Sequence, residues 1–217
     1  MLDANLMSAP SSLLIKRSLD VLLSGLLLLV CLPLLLVVAG LVWLEDQGPI
    51  FYRQDRIGQQ GRPFRLLKIR SMKVNDLPPE EVGEVRAGNP MVTRVGRVIR
   101  RLKIDELPQI LNVFRGDMSF VGPRPTLQSQ AEQYDAAQAR RLDVRPGLTG
   151  WAQVNGNTQL TWEERIHLDL WYIDHWSLGL DLIILGKTVG VVLGGEVPNP
   201  VAVKEAIDHA NRADWRR

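Results

Sequence analysis

Two adjacent carboxylates, Asp105 and Glu106, follow a run of cations at Arg94, Arg97, Arg100, Arg101 and Lys103. Neighbouring residues on a helix lie about 100° apart, so both acids can face one side when they occupy a first turn. Pro108 is compatible with that placement because first-turn amides have no helical partner. The positive end of the helix dipole then favours the ionised forms. An ionised carboxylate amid cations can attack a phosphoryl group or bind Mg²⁺. Acids at a helix start also serve as caps, and for this pair alone capping is the commoner role.

Gly122-Pro123-Arg124-Pro125 is a second candidate. Each proline fixes its own φ and restricts the residue before it, so Arg124 rides on a stiff, extended tripeptide. A pre-oriented guanidinium can clamp a phosphate through two hydrogen bonds; the competing reading is a surface arginine in a proline turn. Lys68 and Arg70 alternate along an expected strand, so they share one face and could meet a diphosphate or lipid headgroups, or stand in solvent. His167, His175 and His209 show no metal-ligand spacing and are expected on solvated or helix-face positions. No phosphate-binding P-loop or dinucleotide fingerprint is present.

These residues must be held by something, and the strongest element is apolar. Val21 to Leu44 carries no charge, whereas about 20 residues of helix suffice to cross a bilayer. It is too long for the apolar part of a cleaved signal. Pro33 near its middle favours a kink. Lys16 and Arg17 precede it, and Arg53, Arg56, Arg62, Arg65, Lys68, Arg70 and Lys73 follow, opposed on that far side only by Glu45, Asp46 and Asp55. Positive charge on both flanks keeps both on the cytoplasmic side, which a straight span cannot satisfy. A re-entrant helix bent at Pro33 can. Trp43, Trp171 and Trp176 are candidates for the headgroup level, with Trp171 equally suited to a core.

The 217 residues suggest one domain with an added membrane element. A net charge of +2 hides basic clusters at 53–73 and 94–103, which suit a phosphate-rich partner. Nucleic acid is disfavoured, since the 94–103 cluster lacks interleaved aromatics for base stacking. Cys31 is the only cysteine, so no internal disulfide forms. Along the chain, residues 1–12 read as a loose tail. Residues 50–69 read as a β-hairpin with arms at 50–52 and 64–69, and 74–91 as a loop. Helices are expected at 93–102, 105–114, 127–142 and 161–171, the last with a Thr161/Glu164 capping box. Residues 116–125 read as irregular and rigid, 145–156 as a loop with a short extended piece, and 178–193 as an apolar helix packed on the body or lying on the bilayer. A proline break and a short helix end the chain.

Four stretches together resemble a known family: KRSLDVLLS (16–24), FYRQDRIGQQGRPFRLLKIRSM (51–72), LPQILNVFRGDMSFVGPRP (107–125) and RPGLTGWAQVNG (145–156). They look like bacterial sugar transferases, and more narrowly the small monotopic phosphoglycosyl transferases, over roughly residues 14–190. The resemblance implies transfer of a sugar-1-phosphate from a UDP-sugar to a polyprenol (undecaprenyl) phosphate with release of UMP, an early step in surface glycan assembly. It implies Asp105 as nucleophile through a covalent phosphosugar intermediate, Glu106 with Asp105 holding Mg²⁺, and Lys68, Arg70, Arg100 and Arg124 on the phosphates. It also implies a monotopic seat on the cytoplasmic face of a bacterial inner membrane, in contact with lipid. Relatives often carry Ser-Pro at the helix break, and this chain has Leu32-Pro33, so the break rests on the proline alone. The expected fold is α+β and mainly helical. It comprises a tail (1–15), a re-entrant helix (16–46), a catalytic domain (47–195) with a small hairpin and several amphipathic helices, and a C-terminal tail (196–217). Homo-oligomerisation is left open, and a membrane-anchored scaffold without catalysis is the competing function.

Overall fold

A computed structural model describes residues 10–74 and 89–212. Helix α1 runs over Pro10–Asp46 and is continuous through Pro33. Its leucine-rich sequence forms two stripes. Leu22, Leu29 and Leu36, spaced by seven, are 71%, 72% and 65% exposed. Asp20, Ser24, Val38 and Val42 lie on the opposite stripe and are buried, with Leu27, Leu28 and Leu35 packed inward beside them. An exposed apolar stripe this long needs a nonaqueous neighbour.

Both ends of α1 are fastened to the same body. At its start, Lys16 Nζ donates to Val121 O (3.0 Å) and pairs with Asp181 Oδ2 (2.5 Å), and the Arg17 guanidinium caps the carbonyls of Val113 (2.7 Å) and Phe114 (2.8 Å). At its end, Glu45 accepts from the backbone amides of Arg94 (2.6 Å) and Val95 (3.1 Å), and Asp46 pairs with Arg70.

The hairpin forms as expected, with a longer first arm. Strand β1 (Phe51–Ile57) pairs antiparallel with β2 (Pro63–Ile69), Tyr52 facing Lys68 and Arg53 facing Leu67. Only the ends of the 74–91 loop are described: Lys73 N donates to Met91 O at 2.9 Å, and residues 75–88 lie outside the described residues. Helix α2 (Arg94–Arg101) follows, capped by Thr93, whose hydroxyl accepts from Gly96 N at 2.9 Å.

The helix expected over 105–114 begins later. Lys103 has φ 56°, Ile104–Glu106 form one 3₁₀ turn, and helix α3 covers Gln109–Arg115. Pro108 supplies no amide, so regular α pairing starts only after it. The carboxylates therefore sit ahead of a short helix, not inside its first turn. The 116–125 segment, expected to be irregular, contains a short strand, β3 (Ser119–Val121), which pairs in parallel with β4 (Gly147–Thr149). The helix expected over 127–142 is broken into α4 (Gln128–Ala131), α5 (Ala136–Ala139) and a 3₁₀ turn at Arg140–Leu142. Asp135 causes the restart, since its side chain accepts from Gln138 N while Gln138 reaches back to its amide.

Helix α6 (Trp151–Val154) leads to α7 (Trp162–Asp174), which carries the expected Thr161/Glu164 capping box. Helix α8 (Leu178–Gly194) leaves Leu182, Ile183, Val189 and Leu193 exposed. Segment 196–217, read as a tail, contributes α9 (Pro200–Arg212), whose Ala202, Val203 and Ala206 join the main core against α7. Trp176, a headgroup candidate, is instead 2% exposed and donates to Asp181 Oδ2 at 3.2 Å. Burying that carboxylate at the start of α8 gathers Lys16, Tyr172 and Trp176 around it. His167 lies on a buried face of α7, the helix-face alternative of its expected positions.

Candidate active site

The 3₁₀ turn at Ile104–Glu106 presents its two acids to different surroundings. Its backbone is pinned by Glu106 N to Lys103 O (3.2 Å) and Leu107 N to Ile104 O (3.1 Å). Glu106 is gripped: Lys68 Nζ, from β2, donates to Oε1 at 2.8 Å, and Arg124 Nη2 lies 3.6 Å from the same oxygen. Burial opposes its ionisation, but Lys68 and Arg124 outweigh that and hold the carboxyl well below the usual range. Asp105 is 8% exposed and makes no ion pair among the described residues. Burial, with the Glu106 charge beside it, pushes its carboxyl up to about 6 against the pull of Lys68, Arg100 and Lys103. The sequence leads one to expect a helix dipole that favours both ionised forms; at Asp105 desolvation works against this and raises the pKa, to a value still below neutral.

Arg124 is positioned as the proline spacing suggested, by a more specific device. Gly147 N donates to Pro123 O (2.8 Å), Gly122 N to Thr149 O (3.0 Å), and Arg141 Nη2 to Arg124 O (3.3 Å). The backbones cross so closely that a Cβ on Gly122, Gly147 or Gly150 would fall 2.4, 2.1 or 2.2 Å from a main-chain atom. The sequence motifs around 122 and 147 are thus two halves of one support.

Asp105 and Glu106 open on a cavity of about 630 Å³, within the range for small-molecule sites. Among the described residues ten of its lining side chains are Lys or Arg and three are acids, so it is built for an anion. The structure brings Lys68, Arg100 and Arg124 to this cavity with the acid pair. Arg70 also borders it, but its guanidinium is engaged by Asp46 and by the carbonyls of Pro49 and Met72. It ties the end of α1 to the cavity wall. Hence Lys68 and Arg70, expected to act together, have separate partners.

Sequence reasoning missed three features. Lys103 tempers Asp105 and pairs with Glu196 at 3.2 Å; it was visible only as one more cation in a run. Arg141 and Asp169, paired at 2.8 Å in the cavity wall, come from separate elements and left no local signal. Gln153 lines the cavity from within the 145–156 motif, where its spacing carries no signal of its own.

The residues fit a divalent ion. Among the described residues no cluster of three or more His, Cys, Asp or Glu could hold a metal unaided. Mg²⁺ usually takes one or two carboxylates, several waters and substrate phosphates. Adjacent Asp105 and Glu106 beside an anion-binding cavity suit that donor set, and Lys68 and Arg124 both address Glu106 Oε1.

The profile of the bacterial sugar transferase family matches residues 11–195. An uncharacterised sugar transferase, EpsL, of Bacillus subtilis is 44% identical over 85% of this chain and 90% of its own length. The UDP-glucose:undecaprenyl-phosphate glucose-1-phosphate transferase of Caulobacter vibrioides is 46% identical over 82% of this chain and 69% of its own. The UDP-N-acetylgalactosamine-undecaprenyl-phosphate N-acetylgalactosaminephosphotransferase of Aeromonas hydrophila is 42% identical over 88% of this chain and 46% of its own.

Proposed function

This chain belongs to the bacterial sugar transferase family and is a phosphoglycosyl transferase, and we propose that it moves a sugar-1-phosphate from a UDP-sugar to undecaprenyl phosphate through an aspartyl-phosphosugar intermediate. The observation that carries this reading is the inequality of the acid pair: Glu106 is fixed by Lys68 and Arg124, and Asp105 has no ion pair among the described residues and its carboxyl is raised to about 6. A carboxylate of raised pKa that is still ionised at neutral pH is a competent nucleophile.

In the first step an Asp105 oxygen attacks the phosphorus bearing the sugar, the bond to the bridging oxygen breaks, and UMP leaves with that electron pair. In the second step an oxygen of undecaprenyl phosphate attacks the same phosphorus and displaces the Asp105 carboxylate. Lys68, Arg100 and Arg124 would neutralise the diphosphate so that an anionic nucleophile can approach. Mg²⁺ held by Glu106 and Asp105 would supply further neutralisation of the phosphate charge. One site then serves two bulky anions in turn.

The acceptor lies in a membrane, and two features support a seat on one of its faces, which we take to be the cytoplasmic face of the inner membrane. Both ends of α1 are fastened to one body, at Lys16–Arg17 and at Glu45–Asp46. Its outer stripe, from Leu22 to Leu36, is exposed and apolar. A re-entrant helix satisfies both. Cysteines introduced as Ser12→Cys and Gln47→Cys should label from the same side of sealed vesicles; labelling from opposite sides would sink the re-entrant seat.

The reaction is tested by UMP release from a panel of UDP-sugars with Mg²⁺ and undecaprenyl phosphate. Wild type should release UMP from at least one donor, and Asp105→Asn should release none above background. Equal release by the two would remove Asp105 as nucleophile, and no release from any donor would favour a membrane scaffold without chemistry.

A further inference from the structure

The cavity has two kinds of wall. Around Asp105 and Glu106 it is cationic, suited to phosphates. On the side built by residues 153–158 it presents uncharged amides and a hydroxyl, from Gln153, Asn157 and Thr158. Gln153 is 8% exposed, and neither its Oε1 nor its Nε2 has a hydrogen-bond partner among the described residues. A buried amide with both ends unmet is rare in folded proteins and destabilises them. A ligand group offering a donor and an acceptor side by side would satisfy it.

The geometry identifies which part of the donor this is. Lys103 Nζ and Asn157 Nδ2 both contact the same Glu196 oxygen, at 3.2 and 2.7 Å, and Thr158 Oγ1 donates to the other at 2.5 Å. Lys103 is two residues from Asp105 and acts on its charge. The uncharged wall is therefore tied to the immediate neighbourhood of Asp105. Its backbone is held in an unusual shape, with Asn157 at φ 43° and Gly156 at φ 136°, and Asn199 bonds Asn155 through both its amide N (2.9 Å) and its side chain (2.9 Å). Left-handed residues fixed by their surroundings are typical of preorganised sites. In a UDP-sugar the sugar is bonded to the phosphate that Asp105 attacks, whereas uracil is separated from it by a second phosphate and a ribose.

On the transfer reading above, we infer that Gln153, with Asn157 and Thr158, forms the subsite for the sugar of the donor, and that Gln153 is a specificity-determining residue. Glu196 positions this wall from beyond the residues matched to the family.

The test measures equilibrium binding of UDP-glucose, UDP-N-acetylgalactosamine and UDP to full-length Asp105→Asn protein, with and without Gln153→Leu. The leucine keeps the volume of the side chain and removes the amide. The expected result is at least tenfold weaker binding of the preferred UDP-sugar, UDP affinity changed less than twofold, and a melting temperature equal to or above that of the parent. Equal weakening of UDP and UDP-sugar would assign Gln153 to the nucleotide and overturn the sugar subsite alone. Unchanged sugar binding, or a lowered melting temperature with no sugar-specific loss, would make Gln153 a structural residue. If the parent binds UDP but gains nothing from either sugar, the subsite fails; if it binds none of the three, the transfer reading fails with it.

Discussion

Asp105 and Asp169 are both buried in the wall of one cavity, and burial pushes both carboxyls up. They differ in what stands against them. Asp169 is 1% exposed and has the Arg141 guanidinium 2.8 Å away, an ion pair. Arg141 in turn braces the carbonyl of Arg124 and lies over the Trp162 ring. Among the described residues Asp105 has cations near it but no ion pair, while Lys68 is taken by Glu106 and Lys103 by Glu196. The same desolvation thus makes one acid part of the frame and leaves the other free to react. A buried carboxylate is a candidate nucleophile when its neighbours' charges are already committed elsewhere.

The comparison breaks most sharply at Asp105. Asp105→Asn should lower turnover by about 10³-fold or more, as loss of a covalent nucleophile does. It should also stabilise the fold at neutral pH. The folded-state pKa of Asp105 lies above its ordinary value, so its favourable contribution is full below the unfolded pKa and is lost as pH rises through about 6. At neutral pH the ionised group costs at most about 3 kcal/mol, and the asparagine removes that cost. A variant that is both inactive and less stable would place Asp105 in the frame with Asp169.

Asp169→Asn should do the reverse. Leaving Arg141 buried without a counter-charge should destabilise the protein by about 3–5 kcal/mol, while the folded fraction keeps activity within about tenfold of wild type. Thermal melts and activity per folded molecule separate the two effects. A smaller and more diagnostic change is expected from Glu106→Gln. Removing the neighbouring negative charge lowers the Asp105 pKa, so the acid limb of kcat/KM, near pH 6 in the wild type, should move to lower pH. A limb that stays in place would mean that another group sets it.

Much of this site was legible in the sequence where the signal was local. The acid pair, Arg124 between its prolines, the helix expected over 161–171 with its Thr161/Glu164 box, and the apolar stretch of α1 all follow from neighbouring residues. What escaped depends on contacts between distant segments. Nothing near Asp169 announces Arg141, and nothing near Asn157 announces Glu196. Trp176 has the composition of a headgroup anchor and became core because Asp181 needed donors. The 127–142 helix broke because Asp135 offers a better cap than a continued turn. The raised pKa of Asp105 was invisible for the same reason: the sequence supplied its cations but not their prior engagements.

The most direct test of the central claim is the mass of the intact protein after incubation with its UDP-sugar donor and Mg²⁺, with no polyprenol phosphate added. The account predicts an increase equal to one sugar-phosphate on the wild type, localised to the peptide containing Asp105, absent in Asp105→Asn, and discharged on adding undecaprenyl phosphate. Stoichiometric UMP release with no covalent adduct, or an adduct that persists in Asp105→Asn, would contradict it.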